Sequence, residues 1–433
     1  RMFTWRQIPK MLELKELLLT AIEEHPELSA EERGNLLGEC DLILSFLCYN
    51  DISAMSRLHR SASAQMSRPA ISIQKSGGWT FGSPSVLMMF YRAPGELQSE
   101  LQEMDECMPH YYKITNGHGQ GAETIMRAEA DFMRACFADA QIMLERAYAQ
   151  IDGNGQENMA LCCDFLAWRL SLCTSFTPRE SFEQRREALL GLHSVTWLNI
   201  LQSSCAYYYA LLGLPEKIPA VFREHQLASI HFLAPGKPMM ELIENQVYLA
   251  QGEYAKVIGH SEALLGMCEA MHYALVALHI RLQTAAAYEM LGKRETADEL
   301  LISALAAAEP DALYLPFVEN YRYLKTALTR GAGAKFAAFV RTVTPLGEDF
   351  VRRCGEKSAE GSRPAALAGL TERESAIAAL VAKRLSNREI AEQLFLSEGS
   401  VKQYINQIYS KLLITGDVRT KRKRLAELAA PKS

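Results

Sequence analysis

Apolar residues recur every three to four positions over most of the chain, which is the period of an amphipathic α-helix. Alternating runs rich in Val, Ile and Thr, which are typical of β-strands, are nearly absent. The clearest segment is 241–308, where apolar positions mark four successive helices. Gly252 ends the first, Gly292 ends the third and Pro310 follows the fourth. The pattern predicts an all-α fold built from helical hairpins.

The two glycines that end helices, Gly252 and Gly292, are forty residues apart. Similar steps along the chain meet other positions where helices could end, at Gly213, 173–175, 135–137 and 331–333. A period of about forty residues, with two helices per unit, is typical of an α-solenoid whose stacked repeats share one core. We expect a tetratricopeptide-like α-solenoid, with an irregular helical bundle as the alternative.

Two glycine-rich segments interrupt this pattern. Residues 67–85 place Gly and Pro around isolated apolar residues, which predicts a long loop or a small hairpin. Residues 117–121, Gly-His-Gly-Gln-Gly, precede a predicted helix near Ala122 and could hold an anion at its N-terminus. A tight turn between two helices explains the same glycines, and we prefer it because short glycine motifs often match by chance.

The chain has 433 residues, which is too long for a single hydrophobic core. A polar stretch at 355–369 has the composition of a flexible linker. We therefore predict a helical-repeat domain at 1–354 that receives a signal, the linker at 355–369, and a C-terminal domain at 370–433.

The net charge of −5 conceals an asymmetry along the chain. From Arg363 to the end there are thirteen Lys and Arg against seven Asp and Glu, a balance of +6. The preceding residues carry 33 basic and 44 acidic side chains, a balance of −11. A basic tail on an acidic body indicates a small nucleic-acid-binding module, although charge alone equally fits a solvated basic helix.

Three short helices are predicted after the linker. Thr371 and Glu374 form a capping box at the first, and Ser386 caps the second. Ser397 caps the third, which runs over residues 398–412. Two short helices separated by a few residues are typical of a helix-turn-helix, whose second member enters the major groove of DNA.

The third predicted helix turns Val401, Ile405 and Ile408 inward, so its opposite face carries polar residues. Lysine can bond guanine acceptors or a phosphate, and glutamine and asparagine can pair bidentately with adenine. Serines at the helix start can reach phosphates beside free backbone N–H groups, and two residues near the helix end are expected to contact the DNA backbone. The predicted DNA-binding residues are Lys402, Gln403, Asn406, Ser397, Ser400, Tyr409 and Lys411. A plain solvated helix face is the alternative.

About sixty residues of this region resemble the LuxR-type helix-turn-helix. The motifs that carry the resemblance are Leu370-Thr371-x-Arg373-Glu374, Ser386-Asn387-Arg388-Glu389-Ile390-Ala391, Leu396-Ser397-x-x-Ser400-Val401-Lys402 and Ile408-Tyr409-x-Lys411-Leu412. The resemblance implies that the third helix enters the major groove and that Lys402 contacts DNA, often with Gln403 and Asn406. A fourth helix commonly supports dimerisation in that family.

The sequence departs from this family pattern at several positions. Arg384 stands where a glycine is usual, Ser400 replaces threonine and Tyr404 replaces histidine. The connection after Leu412 is longer and leads to the basic run 421–424 instead of a mildly apolar helix. Arg384 leaves the geometry of the turn open, and the basic run leaves the dimer mode open and could add phosphate contacts.

Residues 241–320 resemble the helical-repeat region of the large MalT-like LuxR regulators, most clearly from Ala287 to Phe317. That resemblance implies a superhelix that binds an inducer or a partner protein, preceded by a nucleotide-binding switch module. The phosphate-loop motif G-x-x-x-x-G-K-[ST] is absent from this chain. We expect either that the switch is absent or that the chain is a fragment, and Arg1 at the start favours a fragment.

The remaining residues indicate no catalytic, cofactor or metal chemistry. The ten cysteines form no C-x-x-C pair, the apolar stretches are too short to span a bilayer, and no signal peptide opens the chain. We therefore expect a cytoplasmic protein that is not an enzyme.

The sequence thus predicts a DNA-binding transcription regulator that acts on double-stranded DNA as a homodimer or oligomer. A small-molecule inducer or a regulatory protein would control it by binding the solenoid. One alternative is a helical-repeat interaction scaffold whose C-terminal domain serves in self-association. Another is an enzyme fused to a DNA-binding module.

Overall fold

The structure is a computed structural model that describes residues 8–230, 234–331, 333, 335–361 and 370–429. Within these ranges the regular elements are helices and no β-strand occurs, which confirms the all-α prediction. The chain divides into two compact units, residues 1–354, called here the body, and residues 355–433, called the C-terminal unit. Residues 355–361 of the predicted linker lie in a helix, and 362–369 fall outside the described residues.

The helices that begin in the body are, in chain order, α1 Ile8–Glu24, α2 Ala30–Ser45, α3 Ile52–Gln65, α4 Leu87–Phe90, α5 Leu97–Thr115, α6 Ala122–Met133, α7 Phe137–Ile151, α8 Glu157–Cys173, α9 Phe182–Leu190, α10 Val195–Leu212, α11 Ala220–Arg223, α12 Lys237–Gln251, α13 Tyr254–Ala270, α14 Ala274–Met290, α15 Arg294–Ala308, α16 Leu315–Glu319, α17 Tyr321–Gly331 and α18 Ala337–Gly361. Short 3₁₀ turns connect some of them. The C-terminal unit adds α19 Glu372–Ala382, α20 Asn387–Gln393, α21 Glu398–Lys411 and α22 Val418–Ala429.

One set of body helices ends at regular intervals along the chain. These helices are α6, α8, α10, α12, α14 and α17, and their ends are spaced 39 to 41 residues apart. Each is followed by a further helix, and successive members of the series, such as α12 and α14, also pack together. The helix ends fall on the forty-residue spacing seen in the sequence. These helices and the ones that follow them therefore form successive pairs, and each pair packs against the next.

Left-handed backbone ends several of these helices. Gly213, Gly252 and Gly292 have φ values of +72°, +77° and +75°, and the N–H that follows each bonds back to a carbonyl of the last helical turn. Glycine adopts this conformation without steric cost. The predicted role of Gly252 and Gly292 as helix stops is therefore confirmed.

The segment 67–85 is a loop, and none of its residues forms a strand. Its second half enters the interior of the body, where Asn158 Oδ1 accepts the backbone N–H groups of Trp79 and Thr80 at 2.6 and 2.8 Å. The buried helix α4 follows directly, and Glu129 Oε2 accepts the N–H of Leu87 at 2.7 Å. Side chains of α8 and α6 thus satisfy backbone N–H groups that this segment buries.

The glycine motif at 117–121 is a tight turn between α5 and α6. Gly119 N–H donates to Gln156 Oε1 at 3.1 Å and Gly121 N–H donates to the Tyr112 hydroxyl at 3.0 Å. His118 is buried, with Nδ1 2.7 Å from the Tyr111 hydroxyl. Because these amides already have protein partners, the turn interpretation accounts for the motif.

A buried ion pair joins two helices deep in the body. Arg169 on α8 donates through Nε and Nη2 to the carboxylate of Glu319 on α16, at 2.8 and 3.1 Å, and both side chains are 1% exposed. The Tyr207 hydroxyl donates to the same carboxylate at 2.8 Å. Rings of Phe132 and Phe165 face the guanidinium at 4.9 and 5.1 Å. This cluster is committed to holding the fold together.

Membrane-spanning helices, metal sites and disulfides are absent from the part of the chain that the structure describes. No helix there is both long enough and apolar enough to cross a membrane. No group of three or more His, Cys, Asp or Glu side chains is arranged to hold a metal ion among these residues. The ten cysteines, all within the described ranges, are free thiols.

Candidate nucleic-acid interface

Hydroxyl side chains begin three of the four helices in the C-terminal unit. Thr371 and Ser386 each accept the backbone N–H three residues later, and Glu374 and Glu389 reach back to complete capping boxes. Ser397 Oγ accepts the N–H of Ser400 at 3.0 Å. The predicted caps are confirmed, and the third helix ends one residue earlier than predicted. Local sequence therefore defines the helix-turn-helix, formed by α20, its turn and α21.

Two left-handed residues make the turns of this motif. Arg384, with φ of +62°, ends α19, and its N–H bonds to Val381 O at 2.9 Å while Leu385 N–H bonds to Leu380 O at 3.2 Å. Phe395, with φ of +53°, makes the turn between α20 and α21. Arg384 therefore keeps the conformation that a glycine would favour, so its presence does not change the geometry of the turn.

One stripe of α21 holds this helix in a small hydrophobic core. Val401 and Ile408 are fully buried and Ile405 is 4% exposed. They pack with Ile377 and Val381 of α19 and with further apolar residues of the unit. Burial of this stripe fixes the rotation of α21 about its axis, so the opposite face must point outward.

The outward face of α21 is polar and accessible. Lys402, Gln403 and Asn406, the three predicted base contacts, are all exposed on it, and Gln407 lies beside them. The N-terminus of α19 faces part of the same surface, so an open groove forms within the unit. We call this surface the polar groove, and it is lined by Thr371, Arg373, Glu374, Gly399, Lys402, Gln403, Tyr404, Asn406, Gln407, Ser410 and Lys411.

The two predicted serine contacts lie at the start of α21. Ser397 is exposed and Ser400 is half-buried, and their hydroxyl oxygens are 2.8 Å apart. This pair lies beside the first N–H groups of α21, where the helix dipole favours negative charge. The arrangement can accept an anionic oxygen at the helix N-terminus.

The structure alters the expectation for the two residues near the end of α21. Tyr409 is buried at 7% exposure in the core of the unit, and burial raises the pKa of its hydroxyl. Lys411 Nζ lies 2.7 Å from Glu374 Oε2. Tyr409 follows the buried Ile408 and continues the inward stripe, so we assign it a packing role. Lys411 is exposed but already holds an internal partner.

Glu374 connects the beginning of α19 to the end of α21. Its Oε2 accepts the Thr371 N–H at 2.7 Å, the Thr371 hydroxyl at 2.9 Å and the Lys411 ammonium. Burial acts to raise the pKa of this carboxyl, but the hydrogen bonds from Lys411 and Thr371 outweigh it and hold the pKa below its ordinary value. The ionised carboxylate therefore stabilises one rim of the polar groove.

The basic run 421–424 lies on α22, which packs against α19. Arg422 points inward and donates to Leu385 O and Asn387 Oδ1, both at 2.7 Å, and Leu425 is fully buried. Lys421 lies over the Tyr409 ring at 5.8 Å. Lys423 and Arg424 are exposed. The run is thus divided between side chains that fasten α22 to the unit and side chains that face solvent.

Several residues that line the polar groove, Arg373 and Gln407 among them, were not among the predicted DNA contacts. Gln407 follows Gln403 by one helical turn, so helical periodicity would have found it. Arg373 donates through Nη2 to Leu394 O at 3.0 Å, which ties α19 to the end of α20. No local signal in the sequence indicates that contact, because the two residues are 21 positions apart.

Comparisons with known proteins match this part of the chain. Residues 368–422 match the family model GerE, described as bacterial regulatory proteins of the luxR family. The C-terminal unit therefore contains a luxR-family helix-turn-helix domain, as its motifs predicted.

Two curated relatives match short stretches of the chain. The transcriptional regulatory protein LnrK of Bacillus subtilis (strain 168) is 44% identical over 55 residues, which cover 13% of this chain and 25% of LnrK. The DNA-binding transcriptional activator DevR/DosR of Mycobacterium tuberculosis (strain ATCC 25618 / H37Rv) is 39% identical over 46 residues, which cover 11% of this chain and 21% of that protein. The chain thus spans about a quarter or less of the length of these relatives.

Proposed function

We propose that this protein is a transcription regulator that binds double-stranded DNA by placing α21 in the major groove. The observation that carries the proposal is the rotation of α21, which buries Val401, Ile405 and Ile408 and leaves Lys402, Gln403 and Asn406 exposed in one row. Such a row can meet base edges in a groove that is wide enough for a helix. The luxR-family domain supports the same conclusion, as does the likeness to the transcriptional regulators LnrK and DevR/DosR.

We assign different tasks to the residues of the polar groove. Gln403 and Asn406 carry both donors and acceptors and suit adenine, whereas Lys402 suits guanine acceptors or a phosphate. Ser397 and Ser400 take a phosphate at the start of α21, where backbone N–H groups lack helical partners. Base contacts set the sequence preference, and phosphate contacts set the register on the duplex.

For the body we propose a tetratricopeptide-like solenoid that receives a regulatory signal. The forty-residue spacing of helix ends and the packing of successive members of that series support this architecture. A small-molecule inducer or a regulatory protein would bind the body in the cytoplasm and control a homodimer or oligomer on DNA. A MalT-like arrangement, as the sequence resemblance implies, is part of this proposal.

A second candidate is an interaction scaffold whose C-terminal unit serves in self-association. The observation in its favour is the exposure of two apolar side chains that flank the connection from α21 to α22. Leu413 is 84% exposed and Val418 is 81% exposed. Exposed apolar residues can mark a protein contact, although single ones are common on protein surfaces.

The variant Lys402→Ala separates these two functions. DNA binding by the full chain is expected to weaken roughly 5- to 150-fold, since a contact of this kind is worth about 1–3 kcal/mol. If Lys402 binds a phosphate, the slope of log affinity against log salt should also become less steep, by the equivalent of about one phosphate contact. The measurement is a titration of a duplex, selected by the wild-type chain from random DNA, at several salt concentrations.

Lys325→Ala is the matched control, because Lys325 lies on the body and its side chain is 61% exposed. Its loss should leave DNA affinity unchanged. If Lys402→Ala binds the duplex as tightly as the wild type does, α21 is not the recognition helix. If the wild-type chain binds no duplex but self-associates, the scaffold function is favoured.

A further inference from the structure

A second group of cations lies at the end of α19 that is remote from the polar groove. Lys383 and Arg384 occupy the turn between α19 and α20, and both are exposed. The groove meets α19 at its other end, near Thr371 and Arg373. Because α19 has 11 residues, the two ends are about 16 Å apart. These cations are therefore separate from the polar groove.

The helix α22 adds to this group from another part of the chain. Arg422 donates to Leu385 O and Asn387 Oδ1, which immediately follow the turn, so the basic run is fastened beside it. Full burial of Leu425 fixes the rotation of α22. The exposed face of α22 then carries Arg419, Lys423 and Arg424, which lie within about one and a half helical turns.

This surface has few negative charges of its own. In the described part of the chain, ion-pair partners are found for none of Lys383, Arg384, Arg419 and Arg424, and only Lys423 has one, Glu427 at 3.8 Å. Asp417 is engaged as the cap of α22, where it accepts the Thr420 N–H at 2.8 Å. Five cations thus face solvent, and we call them the basic shoulder: Lys383, Arg384, Arg419, Lys423 and Arg424.

The charge of the basic shoulder selects the kind of partner that fits it. A symmetric contact between two copies through this face would bring like charges together, which costs free energy. A polyanion with regularly spaced charges suits it better. DNA carries a phosphate every 3.4 Å along each strand, so a distance of about 16 Å corresponds to roughly five nucleotides.

We propose that the basic shoulder binds phosphates of the duplex that flank the bases contacted by α21. This inference rests on the proposed function, because it assumes that the polar groove engages DNA. It adds a second contact surface to the one on α21, and contact with this second surface requires a longer duplex. Sequence preference stays with α21, and the basic shoulder contributes affinity without base readout.

The test compares two duplexes that share one centre, chosen by the wild-type chain from random DNA. The short duplex has about 15 bp and ends near the selected bases. The long duplex has about 40 bp, which is several helical turns, and its flanking sequences are scrambled. For the wild type, the plot of log affinity against log salt should be steeper on the long duplex, by about 0.9 for each added phosphate contact.

The double variant Lys423→Gln, Arg424→Gln in the full chain removes two of these cations. It should bind the long duplex about tenfold more weakly, and its salt slope on that duplex should decrease by the equivalent of about two phosphate contacts. Its binding to the short duplex should stay unchanged. The unchanged short duplex also shows that the unit remains folded. The control Arg57→Gln, Arg186→Gln removes two exposed charges from the body and should change neither duplex.

Three results would overturn the inference. Equal losses on both duplexes would place Lys423 and Arg424 within the main site, and no loss on either would leave the basic shoulder without a role in DNA binding. A changed oligomeric mass with an unchanged salt slope would assign the surface to a protein contact. A wild-type chain that binds no duplex would refute the proposed function itself. That result differs from a wild-type chain that binds both duplexes with the same salt slope, which would refute only the basic shoulder's role.

Discussion

Arg169 of the body and Arg424 of the C-terminal unit use the same kind of side chain in opposite ways. In the body, Arg169 is 1% exposed, two of its nitrogens bond Glu319 and aromatic rings surround it. In the C-terminal unit, Arg384, Arg388 and Arg424 lie at the surface. A buried cation must be paired within the protein, because it has lost its hydration, and it therefore stabilises the fold. An exposed cation keeps its hydration and remains available to bind a partner.

Arg422 shows that this difference does not depend on sequence context alone. It belongs to a basic run, yet its guanidinium bonds Leu385 O and Asn387 Oδ1 inside the unit. Lys423, the next residue, has a side chain that is 79% exposed. Rotation of the helix about its buried stripe, and not the local density of charge, decides which cations serve structure and which can serve binding.

The largest expected effect comes from breaking the buried pair of the body. Arg169→Leu should lower the free energy of unfolding by about 3–5 kcal/mol, because it leaves the Glu319 carboxylate buried without a cation. Urea unfolding followed by tryptophan fluorescence measures this effect. The four tryptophans, at positions 5, 79, 168 and 197, all belong to the body, so the signal reports that unit.

Lys325→Gln is the matched control for this variant. The pair between Lys325 and Glu348 spans 3.0 Å, but the two side chains are 61% and 54% exposed. Its loss should leave the free energy of unfolding close to that of the wild type, because solvent screens an exposed pair. A loss below about 1 kcal/mol for Arg169→Leu would contradict the structural role given to the buried pair.

A smaller effect is expected from Arg422→Gln in the C-terminal unit. Removal of two charge-assisted hydrogen bonds should destabilise the unit by about 1–3 kcal/mol. Because this unit contains no tryptophan, hydrogen exchange of its backbone amides, measured on peptides from 370–429, is the suitable readout.

Lys423→Gln tests the same comparison from the exposed side of α22. Protection of the backbone amides should stay at the wild-type level, because the ion pair with Glu427 is long and exposed. Equal loss of protection in the two variants would show that Arg422 and its neighbour do not differ in role.

The smallest effect is the pH dependence of the C-terminal unit. The pKa of Glu374 is lower in the folded unit than in the unfolded chain, so its contribution to stability is present above the ordinary pKa of 4.5 and is lost as pH falls through the folded value. Amide protection should therefore decrease as pH falls below about 4.5. Glu374→Gln should flatten this dependence.

Glu129 gives the opposite dependence in the body and serves as the contrast. Burial raises its pKa to about 7, so the folded body holds the proton more tightly than the unfolded chain does. Glu129 therefore stabilises the body as pH falls from about 7 to 4.5, and Glu129→Gln should remove that gain. The same sign of pH dependence for both carboxyls would contradict these assignments.

The sequence predicted those features that local physical chemistry determines. Thr371, Ser386 and Ser397 begin helices because their side chains satisfy nearby N–H groups, and the spacing of Val401, Ile405 and Ile408 predicted which face of α21 is buried. The inward place of Tyr409 could have been found by extending the same stripe.

Other features depend on contacts between distant residues and were not predictable in this way. Arg169 and Glu319 are 150 positions apart, and neither has a neighbour in the sequence that indicates the pair. Arg422 belongs to the basic run that could add phosphate contacts, but the packing of α22 on α19 turns its side chain inward, and no local pattern indicates that packing. The burial of the segment 79–91 likewise follows from helices far along the chain.

The central claim is that the exposed face of α21 reads a base sequence. Its most direct test is selection of bound sites from random duplex DNA by the wild type, Gln403→Ala and Asn406→Ala. The wild type should select a defined sequence, and each variant should lose preference at one or two of its positions while retaining the others. Selection of the same sequence with the same stringency by all three proteins would contradict the account.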